Sequence, residues 1–221
     1  MSIDPTQIVR RVPISRGDGP ALEALVGREW LVTNGLGGYA SGTISGVMTR
    51  RYHGLLVASL RNPLGRMVML NHLVERVVLP GGTTVALGAH EESGRTLELP
   101  GAAHLREFRL EAGLPVWRYE IDGIALERRV VMPYRQNTVQ VMYELLPGHA
   151  GNASAAVRLE LQPAIHFRGY EAPVSTPLAS GYRIGTVDGH YLVQGAEELP
   201  PLRLAVSGAE GSLTLQEGRL D

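Results

Sequence analysis

The sequence predicts an all-β protein, a large antiparallel β-sandwich or barrel, on three observations. Apolar or β-branched runs recur every eight to twelve residues along the 221-residue chain. Glycine and proline, 27 and 14 in number, fall between those runs without forming a linker or low-complexity tract. Helical periodicity is scarce, and only residues 20–27 read as a short helix.

The elements follow in order. Residues 1–19, with Arg10-Arg11 and Gly17-Asp18-Gly19, read as a loosely packed lead-in, and residues 20–221 as one sandwich domain. Trp30–Val32 is a strand that runs into Asn34-Gly35-Leu36-Gly37-Gly38; Leu55–Ala58 is the next. Val74–Leu79 and Thr83–Leu87 form a hairpin around Pro80-Gly81-Gly82. Val116–Ile121 and Ile124–Met132 form a second around Asp122-Gly123, with Trp117 and Tyr119 on one face and Val116, Arg118 and Glu120 on the other. Thr138–Leu145 and Ala155–Leu161 are further strands, the latter ending at Gln162-Pro163. Tyr182–Thr186 and His190–Gln194 enclose Asp188-Gly189; Leu202–Ser207 and Ser212–Gln216 enclose Gly208–Gly211.

Composition excludes several function classes. The net charge of −1 gives no reason to expect nucleic acid or an anionic membrane as partner. All 21 basic residues are Arg, which reflects genomic base composition more readily than phosphate recognition. With no Cys there are no disulfides, thiolate metal sites or cysteine nucleophile, and the compartment stays open. The amino terminus lacks a basic-then-apolar signal and no 18-residue apolar run occurs, so a soluble cytoplasmic protein is the expectation.

Residues 29–58 are the most specialised stretch. Asn34 and its glycines permit positive φ and hence a shaped loop. Arg50-Arg51-Tyr52-His53 adds cationic, aromatic and imidazole groups, and no Asp or Glu occurs between Glu29 and Glu75. Gly35-Leu36-Gly37-Gly38-Tyr39-Ala40 formally matches a dinucleotide fingerprint. That fingerprint requires a following helix and a later acidic residue, and both are missing. The seven His are scattered without metal-ligand spacing, no cofactor is implied, and Ser41 lacks a nucleophile elbow. Sugar binding suits the donors better, since sugars take planar aromatic faces together with forked donors and acceptors. Asn34, Arg51, Tyr52 and His53 supply that chemistry; Arg168 and Tyr170, in His166-Phe167-Arg168-Gly169-Tyr170-Glu171, repeat it. Arg51 and Tyr52 would equally well glue two sheets or two domains together.

Asn34–Thr43, followed by Thr49–Ala58, resembles the opening of the amino-terminal domain of bacterial and archaeal glycogen debranching enzymes of the amylo-α-1,6-glucosidase type. Leu126-Glu127-Arg128, Val130–Pro133, Asn137-Thr138 and Leu161-Gln162-Pro163 extend the resemblance over most of residues 28–221. It implies a galactose-mutarotase-like supersandwich packed on a carboxy-terminal (α/α)6 barrel that carries the catalytic carboxylates. Glycosidic hydrolysis needs two facing carboxyl groups. The carboxylate pairs visible here, Glu91-Glu92 and Glu197-Glu198, sit in polar or proline-flanked loops. No catalytic role is carried onto them. The expectation is therefore a non-catalytic domain that packs on the barrel and helps bind α-glucan, its parent enzyme cleaving α-1,6 branch points. A mutarotase-like epimerase using a His and a carboxylate, and an interaction module without ligand, are the alternatives.

Overall fold

The computed structural model describes residues 9–12, 14, 20–88, 98–147, 156–177, 181–208 and 211–212. They fall into two compact units, Met1–Thr176 and Pro177–Asp221.

The first unit is a β-sandwich. One sheet has five strands in the order β1 (Val9–Val12), β7 (Leu105–Glu111), β8 (Leu114–Ile121), β9 (Ile124–Val131) and β10 (Gln140–Leu145). The other runs β11 (Arg158–Gly169), β5 (Arg66–Val78), β4 (Gly54–Ser59), β3 (Tyr39–Thr43), β2 (Glu29–Thr33), with β6 (Thr84–Ala86) also on β5. Every pairing is antiparallel. Helix α1 (Pro20–Gly27) enters the second sheet, with Leu25 buried and Ser45 N–H bonded to the Leu25 carbonyl. Among the described residues no helix is long and apolar enough to cross a membrane.

Local chemistry explains the hairpins. At Asp122-Gly123 both residues take positive φ (46° and 79°), the mirror-image turn that matches strand twist. Ala112-Gly113, at 49° and 83°, makes the same turn between β7 and β8, where no Asn or Asp announces it. The expected lead-in contributes a strand, because Val9–Val12 pairs with β7 at the sheet edge. β11 does not stop at Gln162-Pro163 but continues to Gly169. Pro163 is tolerated because β11 is an edge strand, where a missing N–H leaves no neighbour unpaired.

The core lies between the sheets. Trp117 of β8 meets Trp30 of β2 edge-on at 5.4 Å and Phe108 of β7 at 5.1 Å. Both indole N–H groups are used, Trp30 on the Thr43 carbonyl and Trp117 on that of Ile44. Within this core Arg128 donates to Glu75 at 2.6 Å and lies 4.4 Å over the Trp117 ring, while Tyr143 also donates to Glu75. Burial works against the Arg128 charge, but Glu75 outweighs it, and the net effect holds Arg128 firmly protonated.

The second unit is a three-stranded antiparallel sheet of β12 (Arg183–Val187), β13 (His190–Gln194) and β14 (Leu202–Leu204). Asp188-Gly189 forms its tight turn with φ of 50° and 72°. The expected strand Ser212–Gln216 lies almost wholly outside the described residues.

Candidate functional site

β2 ends at Thr33 and the chain turns through Asn34, whose side chain is completely buried. Its Oδ1 accepts from the backbone N–H of Leu36 (2.9 Å) and Gly38 (3.0 Å). Its Nδ2 donates to the Gln136 carbonyl (2.9 Å) and to Asn137 Oδ1 (3.0 Å). Asn137 reaches Ser59 in turn, accepting from its N–H and donating to its carbonyl. The amide of Asn34 is thus saturated and serves the fold, locking the 34–38 loop to residues 135–137 and to the end of β4. Gly38 completes the lock, since a Cβ there would lie 2.7 Å from Asn34 Nδ2 and 2.9 Å from the Val57 carbonyl oxygen. Gly35 has φ of 75°, and a Cβ on it would run into the Tyr134 ring. Arg135 holds a positive φ of 59°, unusual for an Arg, while its N–H bonds to the Asn34 carbonyl at 2.6 Å.

This fastening presents side chains to solvent. Tyr134 is 77% exposed, Leu36 42% and Tyr52 41%. Arg51 is exposed beside Tyr52. Arg66 donates to the Gly37 carbonyl at 2.7 Å and stands 5.5 Å over the Tyr170 ring. The Tyr39 hydroxyl donates to the Tyr52 carbonyl at 2.8 Å. Tyr134 and Arg66 are brought by tertiary structure alone to the 34–53 segment, which already contains Leu36 and Tyr39.

His53 is fully buried and fixes the loop rather than facing a ligand. Its Nδ1 accepts from the Arg50 N–H at 3.3 Å, and its Nε2 lies 3.5 Å from Glu29 Oε2. Burial pushes its pKa down, opposed by the Glu29 charge. Glu29 also takes a 2.9 Å bond from Arg50, which holds its carboxyl below the ordinary value. The segment therefore does not lack a carboxylate in three dimensions: Glu29, at its boundary, neutralises part of it. Glu29 and His53 are a carboxylate and an imidazole in contact, as an epimerase would require, but His53 has no exposed surface with which to meet a sugar.

Arg168 stands on β11 itself rather than in a loop after it. Thr33, Tyr39, Val57, Val68 and Arg168 pair in one row across β2, β3, β4, β5 and β11. By strand alternation this row faces away from Trp30 and the core. Arg168 is only 3% exposed, and Tyr170, next along the chain after Gly169, is half-buried.

The clustered carboxylates are unsuited to splitting a glycosidic bond. Glu111 and Glu127 share Arg109 and Arg129, at 2.7 and 2.9 Å from Arg109. Burial acts to raise the Glu111 pKa, but the two guanidiniums prevail and keep it low, whereas a general acid must carry a proton. Glu197 and Glu198 are exposed in the second unit, and Glu91-Glu92 lie outside the described residues. The cavity between the sheets, about 50 Å³ beside Trp30, His72, Glu75 and Arg128, has room for water-sized molecules but not for a pyranose. Among the described residues no group of His, Asp and Glu is arranged to hold a metal.

Comparison with known proteins gives one match. Neither a curated protein nor a solved structure matches the chain significantly. A family described as glycogen debranching enzyme N terminal matches residues 28–219, a span that takes in the Asn34 lock, the Arg50–His53 turn and Arg168. The chain belongs to the family of glycogen debranching enzyme amino-terminal domains.

Proposed function

We propose that this domain is a non-catalytic, glucan-contacting part of a cytoplasmic debranching enzyme, packing on a carboxy-terminal catalytic barrel that hydrolyses α-1,6 branch points. One observation carries the reading: a saturated hydrogen-bond lock, strained at Arg135, holds Tyr134 and Leu36 in solvent, and the Arg50–His53 turn, tied to Tyr39, holds Tyr52 there as well. Apolar groups kept exposed on rigid loops mark contact surfaces. Tyrosine faces suit the C–H faces of a pyranose, and Arg51 supplies donors for its hydroxyls. Of the residues expected to bind, Arg51, Tyr52 and Tyr170 take the contact role. Asn34 and His53 act beneath them by fixing the loops.

The test is maltoheptaose titration of the wild-type chain and of Tyr134→Ala, Tyr52→Ala and Arg51→Ala. Loss of one aromatic stacking contact weakens binding about fivefold. Equal affinity across the set, with the fold intact, would reduce the patch to a packing surface.

A further inference from the structure

Arg168 has less than its chemistry requires. Its Nη1 donates to the carbonyls of Ala172 (3.1 Å) and Gly169 (3.5 Å), within the turn that follows β11. Its Nε and Nη2 are buried without a hydrogen-bond partner. Among the described residues no carboxylate pairs with it, although nearly every other buried or half-buried Arg of the first unit has one. A cation withdrawn from water and left unpaired is costly unless a counter-charge arrives.

The two idle nitrogens are not arbitrary. Nε–H and the adjacent Nη2–H form one edge of the guanidinium plane, with two parallel donors matching the two oxygens of a carboxylate. The surroundings add positive charge, and Glu171, the carboxylate nearest in the chain, accepts from the Tyr170 hydroxyl at 3.1 Å rather than from Arg168. Arg66 and Arg168 both act on Tyr39, and the Arg168 charge reaches His166, whose own pKa burial already lowers. The side chains of Tyr39, Tyr52 and Tyr170 fill out the cluster. A planar carboxylate uses both donors and leaves none over.

We propose that the unpartnered edge of Arg168, buried in this structure, is a carboxylate-binding site, engaged bidentately through Nε and Nη2 once the turn after β11 moves aside. The ligand is an anion, so the inference stands apart from glucan binding.

The experiment follows the Arg168 Nε–H cross-peak in ¹H–¹⁵N spectra of the whole chain, with acetate as probe and chloride at equal ionic strength as control. The expected result is a saturable shift with acetate, at least about tenfold weaker with chloride. Acetate also raises the thermal midpoint of the wild type, by about 3 °C at tenfold excess over its dissociation constant. Arg168→Lys, which keeps the charge but not the fork, loses that rise, as does Arg168→Gln. Should the glutamine variant fail to fold, the lysine variant and the wild-type spectrum decide. A second arm joins the chain to the domain that follows it in debranching enzymes. A cross-peak already at the acetate-bound position, and unmoved by acetate, assigns the carboxylate to that domain; one that still moves assigns it to a free ligand. A peak unmoved by acetate and at its free position in both proteins overturns the proposal. So does displacement by maltoheptaose in place of acetate, which would make Arg168 a sugar contact while leaving the glucan reading standing.

Discussion

Arg128 and Arg168 are both buried arginines on strands of one sandwich, and they are satisfied in opposite ways. Arg128 lies between the sheets with Glu75 at 2.6 Å, the Trp117 face at 4.4 Å and Tyr143 sharing the same carboxylate. Arg168 lies on the opposite face of the second sheet with two carbonyl partners and an unused edge. The first charge is completed by its own fold, and the second is left for another molecule to complete. Burial by itself therefore does not mark function; burial without a counter-charge does.

Breaking the complete pair has the largest expected effect. Glu75→Gln or Arg128→Met leaves the other partner charged inside the core and destabilises by about 3–5 kcal/mol, read by urea unfolding. If either variant unfolds at the wild-type midpoint, Arg128 is no more supported than Arg168. Asn34→Ala comes next. It strips partners from the Leu36 and Gly38 amides and from Asn137 and costs about 2 kcal/mol. Because the same lock displays Tyr134, maltoheptaose affinity falls with it.

Arg168→Met sharpens the contrast from the other side. With no carboxylate orphaned by its removal, stability changes by less than about 1 kcal/mol or rises. A loss as large as that of Arg128→Met would show a pairing within the fold.

A smaller effect appears with pH. His53, His72 and His166 all have folded pKa values below the ordinary 6.5, because burial disfavours their charged forms. The unfolded chain then binds more protons just below pH 6.5. The stability from these imidazoles is complete above that value and is lost as pH falls through their folded pKa values. Glu29 and Glu111, held below the ordinary 4.5, lose their contribution in a lower window. Chemical denaturation at pH 7.5, 6 and 5 should show a steady decline, and a midpoint independent of pH would contradict the burial of these rings. For His53→Gln, whose amide can still accept from the Arg50 N–H, the decline is shallower.

The class of fold and most hairpins follow from local patterns along the chain. Period-two patterning and Asp-Gly turns are local, and each acts within a few residues through backbone sterics. The sequence also singles out the Asn34 loop, because an Asn among glycines has few other uses. Tertiary structure decided the rest. Pro163 read as a strand end until its position on a sheet edge made it harmless. Glu29 lies more than twenty residues from His53 in sequence, and only the sheet brings them together. Tyr134 was an unremarked residue after a strand until Asn34 and Asn137 tied its loop beside Gly35. Whether a buried arginine finds a carboxylate is likewise settled by which strands become neighbours. Strand pairing depends on contacts between residues far apart in the chain, and no local pattern encodes it.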